Sequence, residues 1–350
     1  MLGDPVRELM ARHRALCEQA VDPLEIALGL EEAGLGPAAA ARYRHADLFS
    51  LAEELYARVP RRPPEPAPVA PGDSWRRRLA QALRVALLVG PPCAVAAGIR
   101  LLGPGRAGFA DLLAVLPVGL WLAVALAFAG AAARGGERGP AMLGYGCGVA
   151  AVLLLPSVVG AGPDTAVVAV AAALSIGAAE WVARWFRQAG QVHLRTSGTI
   201  AEFRARMRPV LPVALGLHLA VLALLTFAAL AVLTAVAPRP GPAAGGLMHA
   251  AVERAGAVPW AAQAATGLLL ALAVLLVHCG RARAAMAGAA GAVALTALLL
   301  AVRAMAGPVA DALPLAGHGA EGARLLGSGA AGAVLLPYAW VVLGWPTSHR

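Results

Sequence analysis

Hydrophobic positions along the chain fall into three regimes. From Val6, the residues Val6, Leu9, Met10, His13, Leu16, Cys17 and Ala20 recur at the three-and-four spacing of one helix face. Asp22, followed by Pro23 and Glu25, supplies an N-cap acceptor, a first-turn proline and a capping-box carboxylate. A second helix is therefore predicted from there to about Gly34, a third short one from Pro37, and a fourth capped by Asp47 with Leu48, Leu51, Ala52, Leu55 and Val59 on one side. The middle regime, residues 59–74, has no periodicity and six prolines between Pro60 and Pro71, which favours extended polyproline II over a packed fold.

In the third regime, apolar residues run on without alternation. Eight stretches approach the roughly 20 residues that a spanning helix needs: 80–102, 108–130, 140–160, 165–183, 210–236, 259–279, 284–302 and 325–343. The predicted fold is all-α, a polytopic transmembrane helical bundle preceded by a small helical cytoplasmic domain. The expected layout is a head over 1–58, a Pro-rich and Arg-bearing linker over 59–78, a bundle of about eight helices over 79–345 and a tail over 346–350.

Composition supports the membrane reading. Of the 350 residues, 59% are hydrophobic and 14% charged, with mean hydropathy +0.69, whereas soluble domains carry about a quarter charged residues. Arginine placement gives an orientation: with the N-terminus inside, ten Arg fall in cytoplasmic loops (Arg134, Arg138, Arg184, Arg187, Arg195, Arg204, Arg206, Arg208, Arg281, Arg283) and five outside (Arg106, Arg239, Arg254, Arg303, Arg324). A multi-pass protein of the cell membrane with both termini cytoplasmic is expected. Trp75, Trp181, Trp185, Trp260 and Trp345 fall at predicted span ends, and Trp121 falls mid-span. Pro91, Pro92, Pro117, Pro156 and Pro337 interrupt spans, and Gly144 with Gly148 forms a G-x-x-x-G that makes a homo-oligomer conceivable.

Several classes are excluded. All 29 basic residues are Arg, and the chain has no Lys and no Asn, so a phosphate-binding loop lysine, a Schiff-base amine and N-glycosylation are all absent. Cys17, Cys93, Cys147 and Cys279 are far apart and fit neither a disulfide framework nor a metal pair; they read as small core residues. No cofactor is expected, and no catalytic or metal signature is present. Residues 1–60 hold six Arg against ten Asp and Glu, which argues against nucleic acid as a partner despite a loose helix-turn-helix likeness over 30–48.

Candidate chemistry rests on ionisable groups inside the apolar runs, which cost roughly 3 kcal/mol each to bury in a bilayer. His218 lies in the fifth span, and Glu180 and His278 lie near the cytoplasmic ends of the fourth and sixth; together they form a candidate intramembrane cluster for proton relay or substrate binding. The basic segment 184–208 reads as a cytoplasmic loop in which Thr199 and Glu202 form a capping box and Arg184, Arg187, Arg195, Arg204, Arg206 and Arg208 meet anionic inner-leaflet lipids or a partner. That partner could be the acidic head.

The string RHRALCEQAVDPLEIALGLEEAGLGPAAAARYRHADLFSLAEELYARVP (12–60), with the proline-rich link and Ala-rich bundle after it, resembles uncharacterised integral membrane proteins of high-G+C actinobacteria. The resemblance implies location and layout and carries no activity or site residues. Three functions remain open: a transporter- or export-like bundle related to an envelope polymer, a membrane scaffold or regulator acting through residues 1–58 and the basic loop, and an integral enzyme on a lipid-linked substrate. The last is least expected, because the carboxylates needed for metal or acid-base work are not clustered.

Overall fold

The computed structural model describes residues 4–20, 22–36, 40–59, 75–102, 109–133, 140–159, 163–237, 246–306, 319–345 and 348. All regular elements among them are helical, and the chain divides into two compact units, Met1–Gly72 and Asp73–Arg350. The proline-rich stretch 60–74 and the start of the helix predicted at Pro37 lie outside the described residues.

The first unit contains α1 (Pro5–Arg12), α2 (Arg14–Gln19), α3 (Pro23–Glu32) and α4 (Leu48–Arg58), with a 3-10 turn at Ala41–Tyr43. Its caps follow the sequence. Asp22 Oδ1 accepts from Glu25 N at 2.9 Å, and Asp47 Oδ1 accepts from Ser50 N at 2.7 Å. Gly34, in the left-handed region at φ +84, ends α3 with Leu35 N bonded back to the Leu30 carbonyl. The single helix predicted from Val6 to Ala20 is instead broken at His13. The turn seats Leu16 over Gly29, where a β-carbon would lie 2.6 Å from the Leu16 side chain. Leu9, Ile26, Leu30, Leu51 and Leu55 form a fully buried core. Arg58 closes the unit, donating to Asp4 Oδ2 at 2.6 Å and pairing with Glu54, which also meets His45. The Arg58 guanidinium holds the Asp4 carboxyl below its ordinary range, and the Ser50 backbone N–H does the same for Asp47.

The second unit contains α5 (Trp75–Leu102), α6 (Phe109–Ala133), α7 (Pro140–Val159), α8 (Pro163–Thr196), α9 (Ile200–Met207), α10 (Val210–Val236), α11 (Gly246–Ala255), α12 (Ala257–His278), α13 (Ala282–Ala306) and α14 (Gly319–Leu343). Among the described residues five helices, Asp164–Thr196, Ile200–Val236, Ala257–His278, Ala282–Met305 and Gly319–Leu343, are long and apolar enough to cross a membrane, and Pro117–Ala131 and Pro140–Leu155 are shorter apolar helices.

Apolar residues cover the outside of the bundle as well as its core. The apolar windows of α8 and α12 are each 72% buried, while that of α10, the most apolar, is 22% buried and presents Leu224, Val232 and Val236 outward. Apolar side chains on the outer surface suit hydrocarbon as the surrounding solvent. α8 and α12 form the centre, with α5 and α10 against α8, and with α13 and α14 against α12.

Small residues let the backbones approach. A β-carbon at Gly177 on α8 would lie 2.5 Å from the Ala82 carbonyl oxygen on α5, and one at Gly146 on α7 would run into the Ala123 carbonyl on α6. The G-x-x-x-G pair Gly144 and Gly148 faces Met286 and Ala289 of α13, so that surface is used within the chain. Pro91, Pro92, Pro117 and Pro337 sit inside continuous helices.

Three expectations need correction. Residues 184–196 are a helical continuation of α8, not a loop, because nothing between Glu180 and Ser197 breaks the helix and Phe186 and Gly190 keep its inner face buried. Trp181 and Trp185 consequently lie inside a helix rather than at its end. Of the four cysteines, Cys17, Cys93 and Cys279 are buried as expected, but Cys147 is exposed.

Candidate functional site

The site is built on the two most buried helices. Glu180 sits halfway along α8, and His278 is the last residue of α12. Gly280 at φ +80 ends α12 there: Arg281 N bonds the Leu276 carbonyl at 2.7 Å and Gly280 N bonds the Val277 carbonyl at 3.1 Å, which reverses the chain into α13 within three residues. α8 and α12 run parallel, with Gln263 beside Val168 near their starts, and this packing brings the two side chains together further along. His278 Nε2 lies 2.7 Å from Glu180 Oε2, with the residues 4% and 3% exposed. Arg184, one turn further along α8, places Nη2 3.8 Å from the same oxygen. Among the described residues His278 Nδ1 has no hydrogen-bond partner. Nε2–Oε2 is therefore the one hydrogen-bonding contact of the His278 ring among the described residues.

His218 is not part of this pair. It is fully buried on α10, close to the backbone of Gly267 on α12, and among the described residues neither ring nitrogen has a well-aligned hydrogen-bond partner. Gly267 and His278 are 11 residues apart on one helix, which corresponds to about 16 Å of rise. The expected three-residue cluster is thus a pair, Glu180 and His278, with His218 deeper along the bundle.

The basic residues do not make one patch. Arg204 stacks on the Trp345 ring at 3.8 Å from its centroid, and Arg206 donates to Thr196 Oγ1 and to Glu202 Oε1. The Thr199 cap forms as expected, accepting from Glu202 N at 3.2 Å, while Glu202 accepts in turn from Gly198 N. Phe203 and Met207 anchor α9 in the bundle core. Arg195 and Arg208 are exposed, Arg187 is half-buried, and Arg184 belongs to the Glu180 group.

A second polar group, not anticipated from the sequence, lies towards the other ends of the same helices. Gln263 donates to the Val168 carbonyl and to Thr226 Oγ1, both at 3.1 Å, and accepts from Arg324 Nη2 at 3.3 Å. Arg324 is 3% exposed and pairs with Glu321 at 3.2 Å without hydrogen-bond alignment. Beyond it, Arg254 on α11 donates to Asp164 Oδ1 at 2.7 Å and to the Ala237 carbonyl at 2.8 Å. The available signal was the set of polar residues, Thr226, Gln263, Thr266 and Ser328, standing alone in apolar runs.

Among the described residues no three His, Cys, Asp or Glu side chains gather as a metal site. Comparison with protein-family models, curated proteins and solved structures finds no match to this chain.

Proposed function

We propose that the chain is an eight-span membrane protein with both termini cytoplasmic, and that its bundle is a transporter- or export-like device whose titratable centre is Glu180 with His278. The single observation that carries this reading is the buried 2.7 Å contact between two ionisable side chains on the two central helices. Ionisable groups in a bilayer interior are costly and mark ion or substrate pathways. The eight-span count is supported by α5, α6, α7, α8, α10, α12, α13 and α14, each of 20 residues or more. Alternating through eight spans puts Asp164, Ala237 and Arg254 on one side and Arg204 and Trp345 on the other, and each of these sets is in mutual contact. The ten-to-five distribution of Arg in the sequence supports having the second set inside.

The test is pH-driven flux in proteoliposomes loaded with a pH-sensitive dye. Glu180→Gln and His278→Gln are each expected to abolish flux or flatten its pH dependence, while His218→Ala, outside the pair, retains it. Wild-type flux that persists unchanged in both Glu180→Gln and His278→Gln contradicts the reading.

A scaffold or regulatory role for the head is the second reading. Leu24 and Leu28, one turn apart on α3, and Phe49 at the start of α4 are each more than half exposed, which suits docking to a protein partner. Capture of a partner by wild-type protein and its loss in Leu24→Glu/Leu28→Glu would favour this role.

A further inference from the structure

Between α5, α6 and α8 lies an open cavity of about 500 Å³ whose walls include Gln81, Arg84, Leu88, Trp121, Phe128 and Arg184. We propose that it is a binding groove for a membrane lipid carrying a phosphate head, with Arg84 and Arg184 holding the phosphate and the aromatic wall holding an acyl chain. The inference rests on the membrane reading of the bundle and deepens it, without requiring flux.

Size and shape fit the occupant. The volume is in the range of small-molecule sites, and the wall from Gln81 to Leu88 follows α5 for seven residues, about 10 Å of rise. The groove opens sideways: Trp121 is 57% and Phe128 55% exposed on the outer surface of the bundle, where a lipid chain would lie. Trp121 is fixed in place by donating its indole N–H to the Leu88 carbonyl at 3.1 Å, which accounts for the one tryptophan that the sequence left in mid-span.

Charge selects the head group. The lining contains two guanidinium groups and no carboxylate, and among the described residues no acidic side chain pairs with Arg84. Buried atoms await partners at the same place: Gln81 Oε1 and Arg184 Nε have none. Guanidinium forks suit phosphate oxygens, and a cation inside a spanning helix is least costly when an anion meets it. Arg184 lies 3.8 Å from Glu180 Oε2, so a phosphate drawing on Arg184 would weaken its hold on the Glu180–His278 pair. Lipid occupancy and the titratable centre are thereby linked.

The test is native mass spectrometry of the full-length protein in detergent, titrated with phosphatidylglycerol or phosphatidylcholine. Arg84 does not touch the Glu180 pair, so Arg84→Gln is the primary variant. It is expected to weaken retention of phosphatidylglycerol about tenfold while Arg84→Lys largely preserves it. Trp121→Ala should weaken both lipids, and Arg42→Gln, an exposed position in the first unit, should change neither. The proposal is overturned if Arg84→Gln retains phosphatidylglycerol as wild type does, if Arg42→Gln loses it equally, or if the groove is closed by a second copy of the chain, seen as a lipid-free dimer. Wild-type protein that retains phosphatidylglycerol through Arg84 but carries no pH-driven flux would instead count against the transport reading alone.

Discussion

His278 Nε2 and Glu180 Oε2 stand 2.7 Å apart with both side chains 5% exposed or less, joining the last residue of α12 to the middle of α8 across 98 residues of sequence. Such a pair is not an efficient source of stability, since desolvation of two ionisable groups offsets most of their attraction. Its removal is nevertheless unequal in the two directions. His278→Leu strands the carboxylate beside Arg184 alone and is expected to cost about 3–5 kcal/mol, whereas Glu180→Leu/His278→Leu together should cost clearly less than the sum of the single changes. Thermal unfolding of the purified variants in detergent measures the coupling.

The helix packing makes a sharper distinction among glycines than sequence does. Gly146 faces the Ala123 carbonyl directly, so Gly146→Val must push α6 and α7 apart and should abolish folding, seen as loss of monodisperse protein after extraction. Gly216 on α10 faces open space. Gly216→Ala should be tolerated and add up to about 1 kcal/mol from helix propensity.

The head is expected to open in acid. Asp4 and Asp47 have carboxyls lowered from the ordinary value of 3.8 by Arg58 and by the Ser50 backbone N–H respectively. Groups lowered in the folded state stabilise it fully above the unfolded value, and that contribution is lost as pH falls through the folded one. Pepsin cleavage within residues 1–58 of the full-length protein should therefore rise below about pH 3.8. Asp4→Asn/Asp47→Asn should be cut more readily than wild type just above that pH, where pepsin is still active, and show a shallower rise on further acidification; identical profiles would contradict the assignment.

Local signals were the most legible in the sequence. The caps at Asp22, Asp47 and Thr199, the helix stop at Gly34 and the range 210–236 were readable because each depends on neighbours within one turn or on an unbroken apolar run. Helix termini inside polar sequence were not. The extension of α8 to Thr196 carries Arg and Gln, good helix formers that a hydropathy reading treats as loop, and α11 is too short and mixed to register as a span. The candidate site was half legible: Glu180 and His278 stood out as ionisable groups at similar depth, but depth alone also admitted His218, whose position against Gly267 depends on how α10 packs on α12. Arg324 and Gln263 were missed because only the crossing of α12 and α14 makes an arginine near a helix start a buried one.

The membrane topology of the bundle is tested most directly by cysteine labelling in intact cells. In a background lacking Cys17, Cys93, Cys147 and Cys279, Gln191→Cys and His249→Cys each place one exposed thiol beyond opposite ends of the bundle. The account predicts that a membrane-impermeant maleimide labels His249→Cys in intact cells and Gln191→Cys only after lysis. Labelling of Gln191→Cys from outside, or of both positions alike before lysis, contradicts it.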